Sequence, residues 1–301
     1  MTHIPNKLKP GDKVAVIATA RVTDISAVET GIDLIKSWGL EVVTGKSLFN
    51  SHHLFAGTDQ QRLNDLQWAL DNESIKAILC ARGGYGTSRI LDSVNLSGLR
   101  KYPKWICGFS DVTALLCHIQ QFGIAGIHSS MPQLFNNQGA ERDAESLRKA
   151  LFEGEIILEA PACRYNRTGT AEAALVGGNL SLLVHLIGTT SDINTEGKIL
   201  VLEEVDEYLY HLDRMMIQLA RSRKLDNLAG LMVGHLTKMK EGNLQFGKDA
   251  MGVISSHFQQ TTIPIGFGFP FGHQSPNLAV PLGVVCQLKV TAKGSRLTSK
   301  Y

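Results

Sequence analysis

The chain has 301 residues, of which 44% are hydrophobic and 19% are charged, a balance typical of a globular α/β protein with room for two domains. Its formal net charge is +2 without any basic run, so the charge pattern argues against a nucleic-acid-binding protein. No segment approaches the roughly 18 continuous apolar residues that a membrane-spanning helix needs, so we expect no membrane partner.

The cysteines and the N-terminus indicate the compartment. Five cysteines are scattered through the chain without C-x-x-C spacing, which favours reduced thiols over a disulfide framework or a zinc site. The first ten residues are polar, contain Pro5 and Pro10, and lack an apolar signal region. We therefore predict a cytoplasmic protein that holds no metal.

Strand and helix patterns alternate through the first half of the chain. Strand patterns occur at 13–19, which is typical of a buried strand, and at 40–44, 75–81, 105–108 and 124–128. Apolar residues at helical spacing lie between them, and they predict helices at 25–38, 59–71 and 112–121 and one that begins at 87. This alternation indicates βαβ units, and hence a parallel sheet with ligand sites beyond the carboxyl ends of its strands.

The second half has fewer helices between its strands. Residues 141–154 predict a charged surface helix, and 159–170 form a polar stretch without periodicity. Beyond this stretch, the sequence predicts strands and helices at 173–176, 180–187, 199–202, 213–221, 228–233 and 284–290. We therefore predict an α/β domain over 1–155, a linker over 156–170 and a smaller, β-rich α+β domain over 171–301.

One predicted strand-to-helix junction carries a serine. Residues 106–108 end a strand, Gly108 to Asp111 form a tight turn, and 112–116 begin a helix. Ser110 would then project from the carboxyl edge of the sheet, and the Asp111 N–H would point into the same space as an oxyanion donor. The alternative is that Ser110 and Asp111 only cap the helix.

The glycine-rich turn at 82–86 follows a predicted strand and precedes a predicted helix. Glycines there let backbone N–H groups approach a ligand closely and point at an anion, although a tight turn without function is the simpler interpretation. A second glycine pattern, at 39–47, has five residues between its glycines and a strand inside it, so it does not fit a nucleotide-phosphate loop.

An acidic strand end and a histidine loop lie in the second half. Glu203 follows the strand at 199–202 directly, whereas the acidic residues after it are expected to face water: Glu204, Asp206 and Glu207. His273 lies in a loop that two prolines restrain, and a positioned imidazole suits a general base. With Ser110, these residues form an ordered serine–acid–histidine set, in which the imidazole takes the serine proton and the carboxylate orients the imidazole.

Several short motifs occur in the order found in one known family, at 8–16, 82–86, 108–114, 177–180, 202–204, 213–215 and 272–277. On these motifs the chain resembles the LD-carboxypeptidase family of serine peptidases, which includes muramoyltetrapeptide carboxypeptidases and microcin C immunity hydrolases. Residues 17–20, Ile-Ala-Thr-Ala, depart from the Ala-Pro-Ser turn that is common in the family at the edge of the cleft.

The resemblance implies the fold, the site and the reaction. It implies a class I glutamine amidotransferase-like, flavodoxin-like α/β domain and a smaller β-rich domain, in a cytoplasmic homodimer without metal or cofactor. It implies Ser110 as nucleophile, Glu203 as orienting acid and His273 as general base, with the N–H groups of Gly84 and Asp111 as the oxyanion hole. We also expect substrate contacts from three residues of the matched motifs: Gly83, Tyr85 and Asn179. The implied reaction releases the terminal D-alanine from a murein tetrapeptide by cleaving an L,D-peptide bond.

Alternatives remain beside this interpretation. A microcin C-type hydrolase would cleave an acyl-adenylate analogue and would need an aromatic residue to stack the base, a role that the sequence assigns to neither Trp105 nor Tyr208. A non-catalytic binding module of two lobes has no need for a serine at such a corner together with a distant Glu and His. An amidotransferase-like cysteine nucleophile, Cys107 or Cys117, is a weaker alternative, and Cys107 would lie inside a strand, where a buried thiol is inert.

Overall fold

Two sheets organise the chain in the computed structural model, which describes residues 2–301. The strands are β1 Lys13–Ile17, β2 Glu41–Thr44, β3 Ile75–Cys80, β4 Trp105–Gly108, β5 Gly126–His128, β6 Glu155–Pro161, β7 Gly169–Asn179, β8 Ile199–Val205, β9 Gly230–Thr237, β10 Ile265–Phe267, β11 Val280–Leu282, β12 Val285–Thr291 and β13 Gly294–Lys300. The helices are α1 Ile25–Ser37, α2 Asp59–Asp71, α3 Ser97–Lys101, α4 Thr113–Gln121, α5 Glu141–Phe152, α6 Leu180–Leu186, α7 Leu209–Arg221 and α8 Ala250–Ser256. None of these helices combines the length and apolar composition that a bilayer crossing needs.

The first sheet has the strand order β11-β5-β4-β3-β1-β2. Strands β1 to β5 run parallel, as the alternation of strands and helices predicts. The apolar runs of β1, β3, β4 and β5 are buried because helices cover both faces of such a sheet, whereas β2 at the edge of the sheet is partly exposed. Strand β11 comes from the second half of the chain and pairs antiparallel with β5, with Val280 opposite His128.

The second sheet has the strand order β10-β9-β8-β7-β12-β13-β6. Strands β7 to β10 pair in parallel, and the other strands continue from β7 as an antiparallel ribbon. Along β6, exposed and buried residues alternate, which is typical of an antiparallel strand with one face in water. The predicted α/β and β-rich α+β fold class is therefore confirmed, with both sheets mixed.

Helix α4 lies between the two halves of the fold. It follows the Ser110 turn, and its residues from Thr113 to Ile119 are all buried. A helix without a polar face belongs to the interior, and α4 packs against α6 and β7 of the second half. The backbone N–H of Asn179, the last residue of β7, donates to the Thr113 hydroxyl at 3.2 Å. The helix that follows the serine is thus hydrogen-bonded to the strand of the second sheet.

Two local predictions differ from the structure. Residues 155–161, mostly assigned to a linker, form β6, which pairs with β13 from Glu155 opposite Lys300 to Pro161 opposite Gly294. Its backbone hydrogen bonds are made with β13, which is far away in sequence, so the local sequence pattern does not predict the strand. The helix predicted to begin at 87 is instead two short 3-10 turns, at Thr87–Arg89 and Leu91–Ser93. The boundaries at 155 and 171 stay a prediction.

Candidate active site

Ser110 lies at a sharp turn between β4 and α4. A 3-10 turn over Ser110–Val112 joins the two elements, and Ser110 itself has φ of 60°, in the left-handed region. A non-glycine residue in this region costs about 1 kcal/mol or more, so the surrounding structure has to hold it there. Gly108 has no room for a side chain, because a Cβ would lie 2.8 Å from Val112 Cγ1. The close packing of this turn keeps the strained serine at the end of the strand.

The predicted acid and histidine lie beside this serine. The His273 Nε2 atom is 3.0 Å from the Ser110 Oγ, and the His273 Nδ1 atom is 2.7 Å from the Glu203 Oε2. Glu203 is fully buried in β8, and the His273 ring packs on Phe109, with the ring centroids 4.9 Å apart. Gly272 allows this approach, since a Cβ there would lie 2.9 Å from the Glu203 carboxylate. The structure therefore brings all three residues into one hydrogen-bonded series.

Burial and the neighbouring negative charge shift the pKa of the His273 imidazole in opposite directions. Burial favours the neutral ring of His273, but its hydrogen bond to Glu203 and the charge of that carboxylate outweigh burial and raise the His273 pKa above its usual value. Behind the series, His128 is fully buried, and burial lowers its pKa to about 4, so this second imidazole is neutral. The Glu203 carboxylate thus has one imidazole partner that can become cationic, and this partner is the one beside Ser110.

The glycine turn at 82–86 lies against the serine. A Cβ on Gly83 would lie 3.1 Å from Ser110 Cβ, so the backbone of the turn contacts the serine side chain directly. The turn is tied to the junction, because the Thr87 N–H donates to the Asp111 Oδ2 at 2.8 Å. Gly84 has φ of 112°, and its N–H donates to no acceptor within residues 2–301. This N–H is available to a ligand, as an oxyanion donor has to be.

Two further predicted contact residues lie in different surroundings. The Tyr85 side chain is 46% exposed, and its ring centroid is 5.8 Å from that of Phe55. Asn179 is buried, and its side chain is already used within the protein: Nδ2 donates to Glu204 Oε1 at 3.0 Å, and Oδ1 accepts from the Leu182 N–H. Tyr85 can meet a substrate at the surface, whereas Asn179 supports the site from within.

Glu204 was expected to face water, and this prediction is wrong. The residue is 2% exposed, and its carboxylate accepts from the N–H groups of Ser181 at 2.7 Å and Val205 at 2.9 Å, besides Asn179. Strand β8 is buried on both faces from Ile199 to Glu204, so the protein encloses two consecutive carboxylates on opposite faces of this strand. Burial raises the pKa of Glu204 to about 7. The exposed position expected for Asp206 is confirmed.

Four of the five cysteines are buried, and Cys163 is partly exposed. Cys107 is 2% exposed within β4, and burial raises the pKa of its thiol well above the usual value, so it is not a nucleophile. Residues 2–301 contain no group of three or more His, Cys, Asp or Glu side chains placed to hold a metal ion. The reactive groups of this region are therefore the serine, imidazole and carboxylate described above.

A serine hydroxyl, an imidazole and a buried carboxylate in hydrogen-bonded series, at the strand ends of an α/β fold, define the class of serine hydrolases. Two family models match the chain, the LD-carboxypeptidase N-terminal domain over 14–129 and the LD-carboxypeptidase C-terminal domain over 172–288. The chain belongs to the LD-carboxypeptidase family.

Individual relatives agree with this assignment. The chain is 35% identical to the Bacillus subtilis protein named Probable murein peptide carboxypeptidase, over 97% of this chain and 93% of that one. It is 28% identical to the murein tetrapeptide carboxypeptidase of Pseudomonas aeruginosa, over 95% and 94% of the two chains. The crystal structure of muramoyltetrapeptide carboxypeptidase from Oxalobacter formigenes superposes with a TM-score of 0.87 at 27% identity, over 95% of this chain and 98% of that chain. The microcin C7 self-immunity protein MccF, with a TM-score of 0.86 at 20% identity over 99% and 98%, shows the same fold.

Proposed function

We propose that this protein is a serine-type murein peptide carboxypeptidase, which releases the terminal D-alanine from an L,D-linked tetrapeptide. The observation that carries the proposal is the series in which His273 lies 3.0 Å from the Ser110 hydroxyl and 2.7 Å from the Glu203 carboxylate. The names of two relatives support the substrate, because one is called a murein tetrapeptide carboxypeptidase and the other a probable murein peptide carboxypeptidase. Gly83 and Tyr85 would contact the peptide from the turn that faces Ser110.

The first half of the reaction forms an acyl-enzyme. His273 Nε2 accepts the Ser110 proton as the oxygen attacks the carbonyl carbon of the L,D-peptide bond. Glu203 holds the imidazole through Nδ1 and stabilises the imidazolium. The N–H groups of Gly84 and Asp111 donate to the developing oxyanion. The imidazolium then protonates the nitrogen of the departing D-alanine, the C–N bond breaks, and Ser110 carries the shortened peptide as an ester.

The second half of the reaction hydrolyses the ester. A water molecule takes the place of the departed amino acid, and His273 accepts its proton as the oxygen attacks the ester carbonyl. The tetrahedral intermediate collapses, Ser110 leaves with the proton from His273, and the tripeptide is free. In this proposal the predicted domain over 1–155 supplies the nucleophile, and the one over 171–301 supplies the acid and the base.

We also propose that the protein acts in the cytoplasm as a homodimer. The compartment is supported by the free cysteines, four of which are buried and none of which forms a disulfide within residues 2–301. Murein fragments that enter the cell would then be its substrates. Sedimentation velocity of the purified protein tests the dimer, which requires a mass of twice the 32.8 kDa chain.

Replacing the serine tests the catalytic role. The Ser110→Ala variant should lower turnover of a murein tetrapeptide by at least about 1,000-fold, because the imidazole then has no hydroxyl to activate. Release of D-alanine is followed by mass spectrometry. Ser93→Ala, at an exposed serine, is the matched control and should keep wild-type activity. Release from Ser110→Ala at the wild-type rate would exclude Ser110 as the nucleophile.

The same assay separates the alternatives. A microcin-type hydrolase would cleave a processed microcin and leave the tetrapeptide intact. The similarity to MccF, at 20% identity, extends to the fold and does not indicate the substrate. A non-catalytic binding module would release nothing from either compound. The hydrogen-bonded series argues against the binding module, because a binding site gains nothing from an imidazole aligned between a serine and a buried carboxylate.

A further inference from the structure

A carboxypeptidase of the proposed kind has to recognise a free carboxylate next to the bond that it cleaves. This carboxylate belongs to the leaving amino acid, so it lies about one residue length, roughly 3.8 Å, from the reacting carbonyl. A cation close to the oxyanion donors would bind it, and Arg is the side chain best suited to bidentate recognition of a carboxylate.

The side chain of Arg21 lies on the glycine turn that faces the nucleophile. A Cβ on Gly84 would overlap the Arg21 Cδ and lie 2.6 Å from its Cγ, so the aliphatic part of the arginine covers the Gly84 backbone. The neighbouring Gly83 contacts Ser110, since a Cβ there would lie 3.1 Å from Ser110 Cβ. Arg21 is therefore separated from the serine only by this turn, within reach of the proposed oxyanion donor.

The backbone around Arg21 is fixed. The Ala20 carbonyl accepts from the Ala56 N–H at 3.1 Å, and the Val22 N–H donates to the Leu54 carbonyl at 3.0 Å. The Arg82 Nη1, from the glycine turn itself, donates to the Val22 carbonyl at 2.5 Å. A side chain that starts from such a backbone loses little freedom when it binds a ligand, which favours its use for recognition.

The charge of Arg21 is free of internal partners. The residue is exposed, and no Asp or Glu of residues 2–301 forms a salt bridge with it. Two other arginines near this turn, Arg62 and Arg89, both bind the single carboxylate of Asp59. Arg82 is directed to a backbone carbonyl. This wall of the site thus carries excess positive charge, and Arg21 is the cation that remains available to a ligand.

We propose that Arg21 binds the terminal carboxylate of the peptide substrate, a role that rests on the proposed function. The guanidinium extends beyond Cδ, and its paired N–H donors match the two oxygens of a carboxylate. Gly84 then has two functions: its N–H serves the oxyanion, and its missing side chain leaves the space that the Arg21 stem occupies. Arg21 is a specificity residue, because it holds the carboxylate and takes no part in proton transfer.

Substrates with and without the terminal charge test this role. The wild-type protein, Arg21→Gln and Arg21→Lys are each assayed with a tetrapeptide that ends in D-alanine and with the same peptide as its C-terminal amide. We expect the wild type to prefer the free acid. Arg21→Gln should lower kcat/KM for the acid by about 10- to 100-fold, mainly through KM, and leave the amide unchanged. Arg21→Lys should retain part of the preference, since it keeps the charge and loses the paired donors.

Arg100→Gln is the matched control, because it removes one positive charge from an exposed position on α3. This helix lies before the amino end of β4, whereas Ser110 follows the carboxyl end of the same strand. It should behave as the wild type with both peptides. If Arg21→Gln keeps the wild-type ratio of acid to amide, Arg21 does not bind the carboxylate, while the proposed function stands. If the wild type releases nothing from either peptide, the proposed function itself fails and the role of Arg21 fails with it.

Discussion

At the scale of single residues, the site depends on how Glu203 is held. This carboxylate is buried in β8, its Oε2 bonds to His273, and its Oε1 has no hydrogen-bond partner among the described residues. A buried carboxylate with one strong partner directs its charge to that partner, so it favours the protonated imidazole over the neutral one. The series is therefore arranged to stabilise the imidazolium that the proposed attack by Ser110 requires.

This arrangement predicts the pH dependence of the reaction. The base has to be neutral, and its raised pKa means that it holds a proton to higher pH, so kcat/KM should rise with pH through a midpoint above 6.5. In Glu203→Gln the charge is gone, so the midpoint should move to lower pH while kcat falls about 1,000- to 10,000-fold. Rates measured between pH 5 and 9 check both effects. Glu172→Gln, on the exposed face of β7, should leave the midpoint in place, and an unmoved midpoint in Glu203→Gln would contradict the prediction.

The sequence predicts some of these residues better than others. Ser110, Glu203 and His273 are found because each follows a recognisable strand or loop signal and the family motifs order them. Glu204 is mispredicted, because β8 is buried on both of its faces up to Glu204, whereas a run of acidic residues at a strand end suggests exposure to water. Arg21 is missed because its position over Gly84 depends on the backbone hydrogen bonds of Ala20 and Val22 with residues 56 and 54, and in the sequence it is one arginine among many.

At the scale of elements, parallel strands bring their carboxyl ends to one edge of each sheet. The Ser110 turn follows the carboxyl end of β4 in the first sheet, and Glu203 lies near the carboxyl end of β8 in the second. The parallel strands are predictable because helices bury both of their faces and make their sequences continuously apolar. Strand β6 is not, because it is an edge strand with one face in water, and its exposed positions include Glu155, Glu159 and Pro161, which also suit a surface loop.

The position of β8 beside β7 depends on a glycine. Gly177 has φ of 127°, and a Cβ there would overlap the Val201 carbonyl oxygen and lie 3.0 Å from the Val201 N. Gly177→Ala should therefore force the two strands apart, lower the free energy of unfolding by about 2–4 kcal/mol and reduce activity. Urea unfolding measures the change. Gly188→Ala, also at positive φ but in open space, should lose only about 1 kcal/mol, and an equal loss in both variants would refute the steric argument.

At the scale of the whole molecule, one strand from the second half of the chain belongs to the first sheet. Strand β11 lies in sequence between the His273 loop and β12 of the second sheet, yet it completes the edge of the first sheet by pairing with β5. Helix α4 adds the hydrogen bond from Asn179 to Thr113. The loop that carries His273, the proposed base, is therefore fixed at one end by β10 in the second sheet and at the other by β11 in the first. Long-range pairing of this kind is set by the assembled fold, which is why the sequence alone does not define it.

Because β11 joins the second half of the chain to the first sheet, we predict that the two halves unfold together. All three tryptophans, Trp38, Trp68 and Trp105, lie in the first half, so their fluorescence reports on the first sheet while far-UV circular dichroism reports on both. In urea the two signals should give the same midpoint, because the first sheet cannot lose β11 without disturbing the second half.

Val280→Asp, which places a charge at a fully buried position of β11, should lower both midpoints together by an amount equivalent to about 3 kcal/mol or more. Val285→Asp, at a position that is 57% exposed, should change neither. Separate midpoints in the wild type, or a fluorescence midpoint that Val280→Asp leaves unchanged, would mean that the halves are stable independently and that the serine and its base meet across a contact that can open.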